Sequence, residues 1–216
     1  MLISVHIPKT GGTAFGELLA RRFGSRLLRD YDDRPLAHAA PRRLAAAIAA
    51  IPAQPARLRG HDAVHGHFLA LKYLGVRGDV VTWLRDPAQR VLSRYHHYRR
   101  DVAEGRELQG IAGLRPGLAL EEFIELERFR DTMAKYFRGF PLRRVRCFGF
   151  SEDMAEGLER MRRSLGLELG APERINANPG QGEAGYDIPE TLRRRIERLN
   201  PGDYRLWNDA RLREGV

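Results

Sequence analysis

The feature that most constrains this chain is its first two dozen residues. Leu2–Ile7 is short, apolar and β-branched, and it is followed by Pro8 and the pair Gly11-Gly12. A run of that kind reads as a buried strand. From Thr13 to Phe23 the apolar residues Phe15, Leu18, Leu19 and Phe23 recur at helical spacing. Strand, glycine turn and helix in that order open an α/β unit of the kind that holds nucleotides.

The rest of the chain continues the alternation. Residues 24–40 read as irregular, 41–51 as an alanine-rich helix, and 52–59 as a connection punctuated by prolines. A short strand is expected at 62–65 and a short helix at 68–74. The clearest buried strand is DVVTWL, 79–84. Asp86 suits the N-cap of the next helix, Pro87 its first position and Gln89 a capping-box partner, and that helix runs to about Arg100. The glycine-rich stretch 104–117 reads as a mobile connection. One or two helices are expected over 118–137, a late strand at 144–148, an amphipathic helix at 152–165, a loop at 171–185, and closing helices at 189–199 and 202–212. Alternating strands and helices predict an α/β fold: a single domain over residues 1–216, a P-loop-like three-layer arrangement in which helices flank a mainly parallel sheet. A ligand is expected at the carboxyl ends of the strands. The length of 216 residues fits that reading.

The formal charge of +9 points to an anionic partner. Much of that surplus also reads as solvated surface charge. Only Lys9, Lys72 and Lys135 are lysines, so 37 − 3 = 34 of the basic residues are arginine, a skew that looks like GC-rich coding. Against it, a lysine suggests that a compact point charge is needed. The lone cysteine, Cys147, excludes an internal disulfide and suits a reducing compartment. No basic-then-apolar leader and no run of about 20 apolar residues is present, so the reading is cytoplasmic with no membrane association.

Within the loop His6-Ile7-Pro8-Lys9-Thr10-Gly11-Gly12-Thr13, glycines let the backbone curl around an anion, and the helix start offers unpaired amides. Lys9 adds charge, and Thr10 and Thr13 add hydroxyls. A plain tight turn would also use the glycine pair, but it needs neither the lysine nor the threonines. Lys9 precedes the glycines, unlike the late lysine of G-x-x-x-x-G-K-[ST], so an ordinary NTPase fits poorly. The run HIPKTGGT resembles the 5′-phosphosulfate loop of sulfotransferases that use 3′-phosphoadenosine 5′-phosphosulfate (PAPS), above all the branch holding the heparan sulfate 2-O-sulfotransferases. The resemblance implies that Lys9 contacts the phosphosulfate bridge. It also implies that Thr10, Gly11, Gly12, Thr13 and Ala14 hold the 5′-phosphate, mainly through backbone amides.

A donor with a 3′-phosphate needs a second anchor. Trp83 to Ser93 reads WLRDPAQRVLS, and it resembles the family's 3′-phosphate motif R-D-P-x-x-R-x-x-S at every fixed position. Arg85 offers a forked charged donor and Ser93 a hydroxyl. Read alone, Arg85 fits a surface salt bridge and Ser93 a solvated helix position. Arg90 and Arg94 read as helix-surface charges, and Tyr95, Tyr98, Arg99 and Arg100 as either an acceptor groove or a solvated face. Between the anchors lies His65-Gly66-His67. Sulfuryl transfer to an alcohol needs a base, and histidine suits it near neutral pH. The family branch has a similar H-G-H, which implies His67 as base with His65 as partner or alternative. A structural histidine is the plain rival. A metal site drawn from His61, His65, His67, His96 and His97 is the sharper one, and it lacks the clean spacing of zinc ligands.

Segments 147–154 and Asp131-Thr132-Met133 with Gly139 resemble weaker family elements. Structural roles suit them equally, Ser151 as a helix cap and Phe148 and Phe150 as core. The expected activity is transfer of the sulfuryl group from PAPS to an acceptor hydroxyl, on a sugar, an acidic glycan or another small molecule, releasing PAP, with no metal required. The rivals are a nucleotide-dependent phosphotransferase and a non-catalytic basic module. Nucleic acid is not expected as a partner, for lack of aromatic or recognition-helix patterning.

Overall fold

The computed structural model describes residues 1–33, 39–106, 113–171 and 185–216. Its strands are β1 (Leu2–Val5), β2 (Leu27–Asp30), β3 (Ala63–Gly66), β4 (Asp79–Leu84) and β5 (Val145–Phe150). Its α-helices are α1 (Gly12–Phe23), α2 (Ala40–Ala50), α3 (Gln54–Arg57), α4 (Pro87–Ala103), α5 (Leu120–Phe123), α6 (Thr132–Tyr136), α7 (Met154–Leu165), α8 (Glu190–Leu199) and α9 (Pro201–Glu214). The strands form one parallel sheet in the order β2-β3-β1-β4-β5, flanked by helices, so the α/β expectation holds. Every residue of β1 and β3 is buried, so neither strand alternates between core and solvent, and the polar His65 is buried with the rest of β3.

The strand order reverses at β1. The chain leaves β1 toward β2 and β3 on one side and continues to β4 and β5 on the other. Crevices at such switch points are where open α/β sheets receive ligands. Register makes the ends level: Val5 pairs with Gly66, and Asp30 pairs with the same Gly66. The residues that come next, His6, His67 and Tyr31, therefore leave three neighbouring strands side by side.

Contacts group the chain into two compact units, Met1–Leu84 with Lys135–Ile175, and Arg85–Ala134 with Asn176–Val216. In the first, Phe15 and Leu19 of α1 and Met161 of α7 pack with Trp83, Val81 and Cys147 from the sheet. In the second, Val91 and Leu92 of α4 pack with Ile124, Tyr186 and Ile196, and Tyr98 packs with Leu118, Phe123 and Phe129.

Three expectations need correction. Residues 27–30 are not irregular but form the edge strand β2, in which only Asp30 is buried; a four-residue edge has too little apolar pattern to announce itself. Helix α7 is capped by Asp153, which accepts from Glu156 N at 3.1 Å, and not by Ser151, whose amide instead donates to Leu84 O at 2.9 Å. Helix α4 runs on to Ala103. Part of the connection expected at 104–117 and nearly all of the loop expected at 171–185 fall on residues 107–112 and 172–184, outside the described residues. Among the described residues no helix is long and apolar enough to cross a membrane.

Candidate active site

The loop after β1 turns twice through left-handed backbone, at Lys9 (φ 72°) and Gly11 (φ 88°). Gly11 adopts that conformation freely, whereas Lys9 pays on the order of 1 kcal/mol for it. The double turn brings the chain into α1 at Gly12 with no side chain capping the helix and no acidic residue in its first turn. Phe15 N donates to Gly11 O at 3.2 Å, so the amides of Gly12, Thr13 and Ala14 precede any that an intrahelical carbonyl can take. A concave run of amides at an uncompensated helix start, with a lysine beside it, is suited to a phosphate or sulfate group. Thr10 is fully buried and its hydroxyl donates inward to Ile7 O at 2.9 Å, so it braces the loop and does not offer the outward hydroxyl the sequence suggests. Thr13 is exposed on the first turn.

Three imidazoles meet at the ends of β1 and β3. The His6 ring lies 4.1 Å from that of His67 and 5.0 Å from that of His65. His65, inside β3 and 2% exposed, has Nδ1 2.8 Å from Ser4 Oγ. Burial drives its pKa down to about 3, with the positive charges of a protonated His67 and of Arg29 adding to the effect and a backbone contact with Gly12 opposing it. It stays neutral and braces the sheet. His67 is half-buried, the more accessible of the two. Its Nδ1 is 2.6 Å from His6 O. A carbonyl only accepts, so Nδ1 carries the hydrogen and Nε2 keeps its lone pair. Burial lowers the pKa of His67, and the bond to His6 O partly restores it. The result is a neutral imidazole whose Nε2 is open to a proton, the state a general base needs. His6 is held well below its usual value by burial, then by His67, His65 and Lys9.

In the second unit, Asp86 caps α4 as the sequence predicts, accepting from Gln89 N at 2.9 Å, and its other oxygen accepts from Arg193 at 3.0 Å. Gln89 does not complete a capping box. Its side-chain amide donates to Tyr186 O and accepts from Tyr186 N, both at 2.8 Å. Arg85 is half-buried, its guanidinium 5.9 Å from the centre of the Tyr186 ring, and Ser93 is 2% exposed. Arg90 is not a surface charge. It is 1% exposed, lies 3.4 Å from Asp203, and donates to Phe129 O at 3.1 Å. Arg94 is also largely buried, over the Phe129 ring at 5.1 Å. Tyr98 donates to Arg115 O at 2.6 Å and accepts from Leu118 N at 2.9 Å, which takes it out of any groove.

The structure therefore gathers Lys9, Gly11–Ala14, His65 and His67 around the ends of β1 and β3, and it places Arg85 and Ser93 at the start of α4. Two residues escaped the sequence reading. His6 was seen only as part of the loop, and Tyr31, whose hydroxyl is 3.0 Å from His6 Nδ1, lay in a stretch read as irregular. No local pattern marks Tyr31; strand register does. His96 stacks on Tyr186 at 4.8 Å, and His97 lies 3.8 Å from Asp101. Among the described residues no three His, Cys, Asp or Glu side chains form a group able to hold a metal ion.

No family model and no curated protein sequence matches the chain. Among solved structures it is similar to the mouse sulfotransferase SULT7A1 complexed with PAP, at a TM-score of 0.45 and 14% sequence identity. The likeness covers 91% of this chain, which spans 61% of the length of that mouse protein.

Proposed function

We propose that the chain transfers the sulfuryl group of PAPS to an acceptor hydroxyl, with His67 as general base. The observation that carries the reading is the Nδ1–H bond from His67 to His6 O, which leaves Nε2 open at the end of β3, beside the strand that leads into the amide-lined loop. That loop suits the donor's phosphosulfate: it offers backbone amides and Lys9, and no carboxylate stands in the first turn of α1.

The bound donor supplies an electrophilic sulfur and a phosphate leaving group. His67 Nε2 takes the proton of the acceptor hydroxyl as the new O–S bond forms and the sulfur–phosphate oxygen bond breaks. Lys9 and the amides of Gly11 to Ala14 stabilise the charge that develops on the departing oxygen, a kind of preorganised contact commonly worth about 3–4 kcal/mol. Arg85 and Ser93 are the proposed 3′-phosphate ligands, on the strength of their motif. The acceptor is proposed to be a sugar, an acidic glycan or another small molecule, because a net charge of +9 favours anionic partners.

Calorimetry with 3′,5′-ADP against ATP and Mg²⁺ tests the donor. Binding of 3′,5′-ADP, with ATP weak and not hydrolysed, is expected; preference for ATP with turnover sinks the reading. PAPS incubated with a panel of sugars, glycans, lipids and phenols, read by mass spectrometry for addition of one SO₃, identifies the acceptor.

A further inference from the structure

We propose that Tyr31 is a positioning residue that acts on His67 through His6, an inference that rests on the reading of His67 as the base. The row of residues leaving β2, β3 and β1 runs Tyr31, His67, His6. Tyr31 stands edge-on to the His67 ring, with centroids 4.9 Å apart and planes at 85°, and reaches past it to place its hydroxyl 3.0 Å from His6 Nδ1. The His6, His67 and Tyr31 rings thus form a closed triangle, with His6 and Tyr31 centroids 5.8 Å apart, so both rings bear on His67. Burial pushes the Tyr31 phenol up to about 12, so it stays a neutral hydroxyl.

The opposite edge of His6 is held just as closely. A side chain at Gly12 would put its Cβ 2.0 Å from His6 Cδ2, and one at Gly16 would come 2.7 Å from His65 Nε2. These glycines lie one turn apart on the same face of α1, so the helix rests its bare backbone on the two imidazoles. His6 is pinned between Gly12 and the Tyr31 hydroxyl.

The pinning matters because of what the His6 backbone does. His6 N makes the last ladder bond, to Gly66 O at 2.9 Å, and the carbonyl of the same residue then turns to His67 Nδ1 rather than to a strand. Sheet pairing does not fix that carbonyl, so the clamped ring does. If the clamp loosens, His67 loses the partner that keeps hydrogen on Nδ1, and part of the population carries it on Nε2, where it blocks proton acceptance.

Long-range ¹⁵N–¹H correlation spectra of the imidazoles, recorded on the full chain, read the tautomer directly and need no turnover. The wild type is expected to show His67 with hydrogen on Nδ1. In Tyr31→Phe, which keeps the ring and loses the hydroxyl, His67 is expected to become a mixture. With PAPS and an accepted alcohol, kcat falls about tenfold and KM for PAPS stays within about twofold, the pattern of a lost transition-state contact. His6→Phe, which keeps a ring against Gly12 but lacks Nδ1, is expected to match it; if that variant does not fold, Tyr31→Phe decides alone. An unchanged His67 pattern in Tyr31→Phe, or hydrogen on Nε2 already in the wild type, overturns the proposal. A tautomer that depends on Tyr31 in a protein that transfers no sulfuryl group keeps the positioning role and removes the proposed activity.

Discussion

At the end of β1 the groups proposed to face an anion are main-chain amides with Lys9 beside them, and the neighbouring side chains of Thr10, His6 and His65 are turned into the fold. At the start of α4 the proposal runs the other way: Pro87 has no N–H and the Asp86 side chain takes that of Gln89, so side chains are the proposed anion contacts. There the motif also splits by role. Asp86 and Arg90 are scaffold, one capping α4 and the other buried with Asp203, and Arg85 and Ser93 are the residues proposed to touch a ligand. The comparison teaches that a fixed spacing mixes residues that build a site with residues that touch its ligand. Substitutions separate the two kinds.

The largest effect is expected at the imidazoles. His67→Ala should slow sulfuryl transfer by about 10²–10⁴-fold, because the proposed general base is lost, with a smaller fall in melting temperature than His65→Ala because His67 is only half-buried. His65→Ala should do the reverse, lowering stability by about 2 kcal/mol or more as a buried hydrogen-bonded ring is replaced by a void, with a smaller effect on the rate. Equal rate losses in the two variants would make His65 a chemical participant.

Next come the two arginines of the second motif. Arg90→Ala leaves Asp203 as a fully buried carboxylate without its countercharge, and it should destabilise the chain by about 3–5 kcal/mol, measured by denaturant unfolding. Arg85→Ala should leave unfolding almost untouched and weaken 3′,5′-ADP by about tenfold or more, with 5′-AMP unaffected. If Arg90→Ala unfolds normally and loses nucleotide instead, the assignment of scaffold and ligand roles is inverted.

Two buried groups, His65 and Asp203, should answer acid with opposite signs. His65 has a folded pKa of about 3 against a usual 6.5, so between those values the unfolded state binds a proton that the folded state refuses. His6 and His67 are lowered in the same direction. Stability in this region is complete above about pH 6.5 and drains away as the pH falls. Asp203 is raised by burial to about 6 from 3.8, with Arg90 opposing the rise. There the folded state binds the proton first, so its contribution is complete below about pH 3.8 and lost as the pH rises through 6. Hydrogen exchange at pH 7 and pH 5 should show faster opening of peptides from β1 and β3 at the lower pH, and no such loss in peptides from α9. Parallel behaviour in both would refute the contrast.

Much of this was legible in the sequence for a simple reason: β1, its glycine loop and α1 are local, and their periodicity and turn chemistry lie within one short window. Asp86 as cap and Pro87 as first helical residue were readable on the same grounds. The illegible parts are those that depend on strand order. Tyr31 meets His6 only because β2 and β3 are neighbours and β3 lies against β1, and nothing within residues 24–40 announces that pairing. The burial of Arg90 depends on Asp203, far along the chain and beyond the reach of any pattern centred on α4. Arginine in the first turn of a polar helix looks solvated until its partner is known.

The smallest expected effect concerns Gln89, a residue the motif leaves free. Its amide pairs with both backbone groups of Tyr186, whose ring stacks on His96 at 4.8 Å and lies 5.9 Å from the Arg85 guanidinium. Gln89→Leu keeps most of the volume and strands a backbone N–H and C=O that are otherwise held. Each lost neutral hydrogen bond contributes about 0.5–1.5 kcal/mol, so a drop of about 1–3 kcal/mol in stability is expected. If Tyr186 also orients Arg85, the same variant weakens 3′,5′-ADP by a few-fold and leaves 5′-AMP as it was. Gln89→Glu makes the sharper test, since a carboxylate still accepts from Tyr186 N but no longer donates to Tyr186 O. Loss of nucleotide discrimination in Gln89→Leu alone would assign the effect to the N–H contact, and loss in both would assign it to the carbonyl. Discrimination intact in both would show that Arg85 holds its position without the Tyr186 ring, leaving side-chain placement at this anchor to α4 itself.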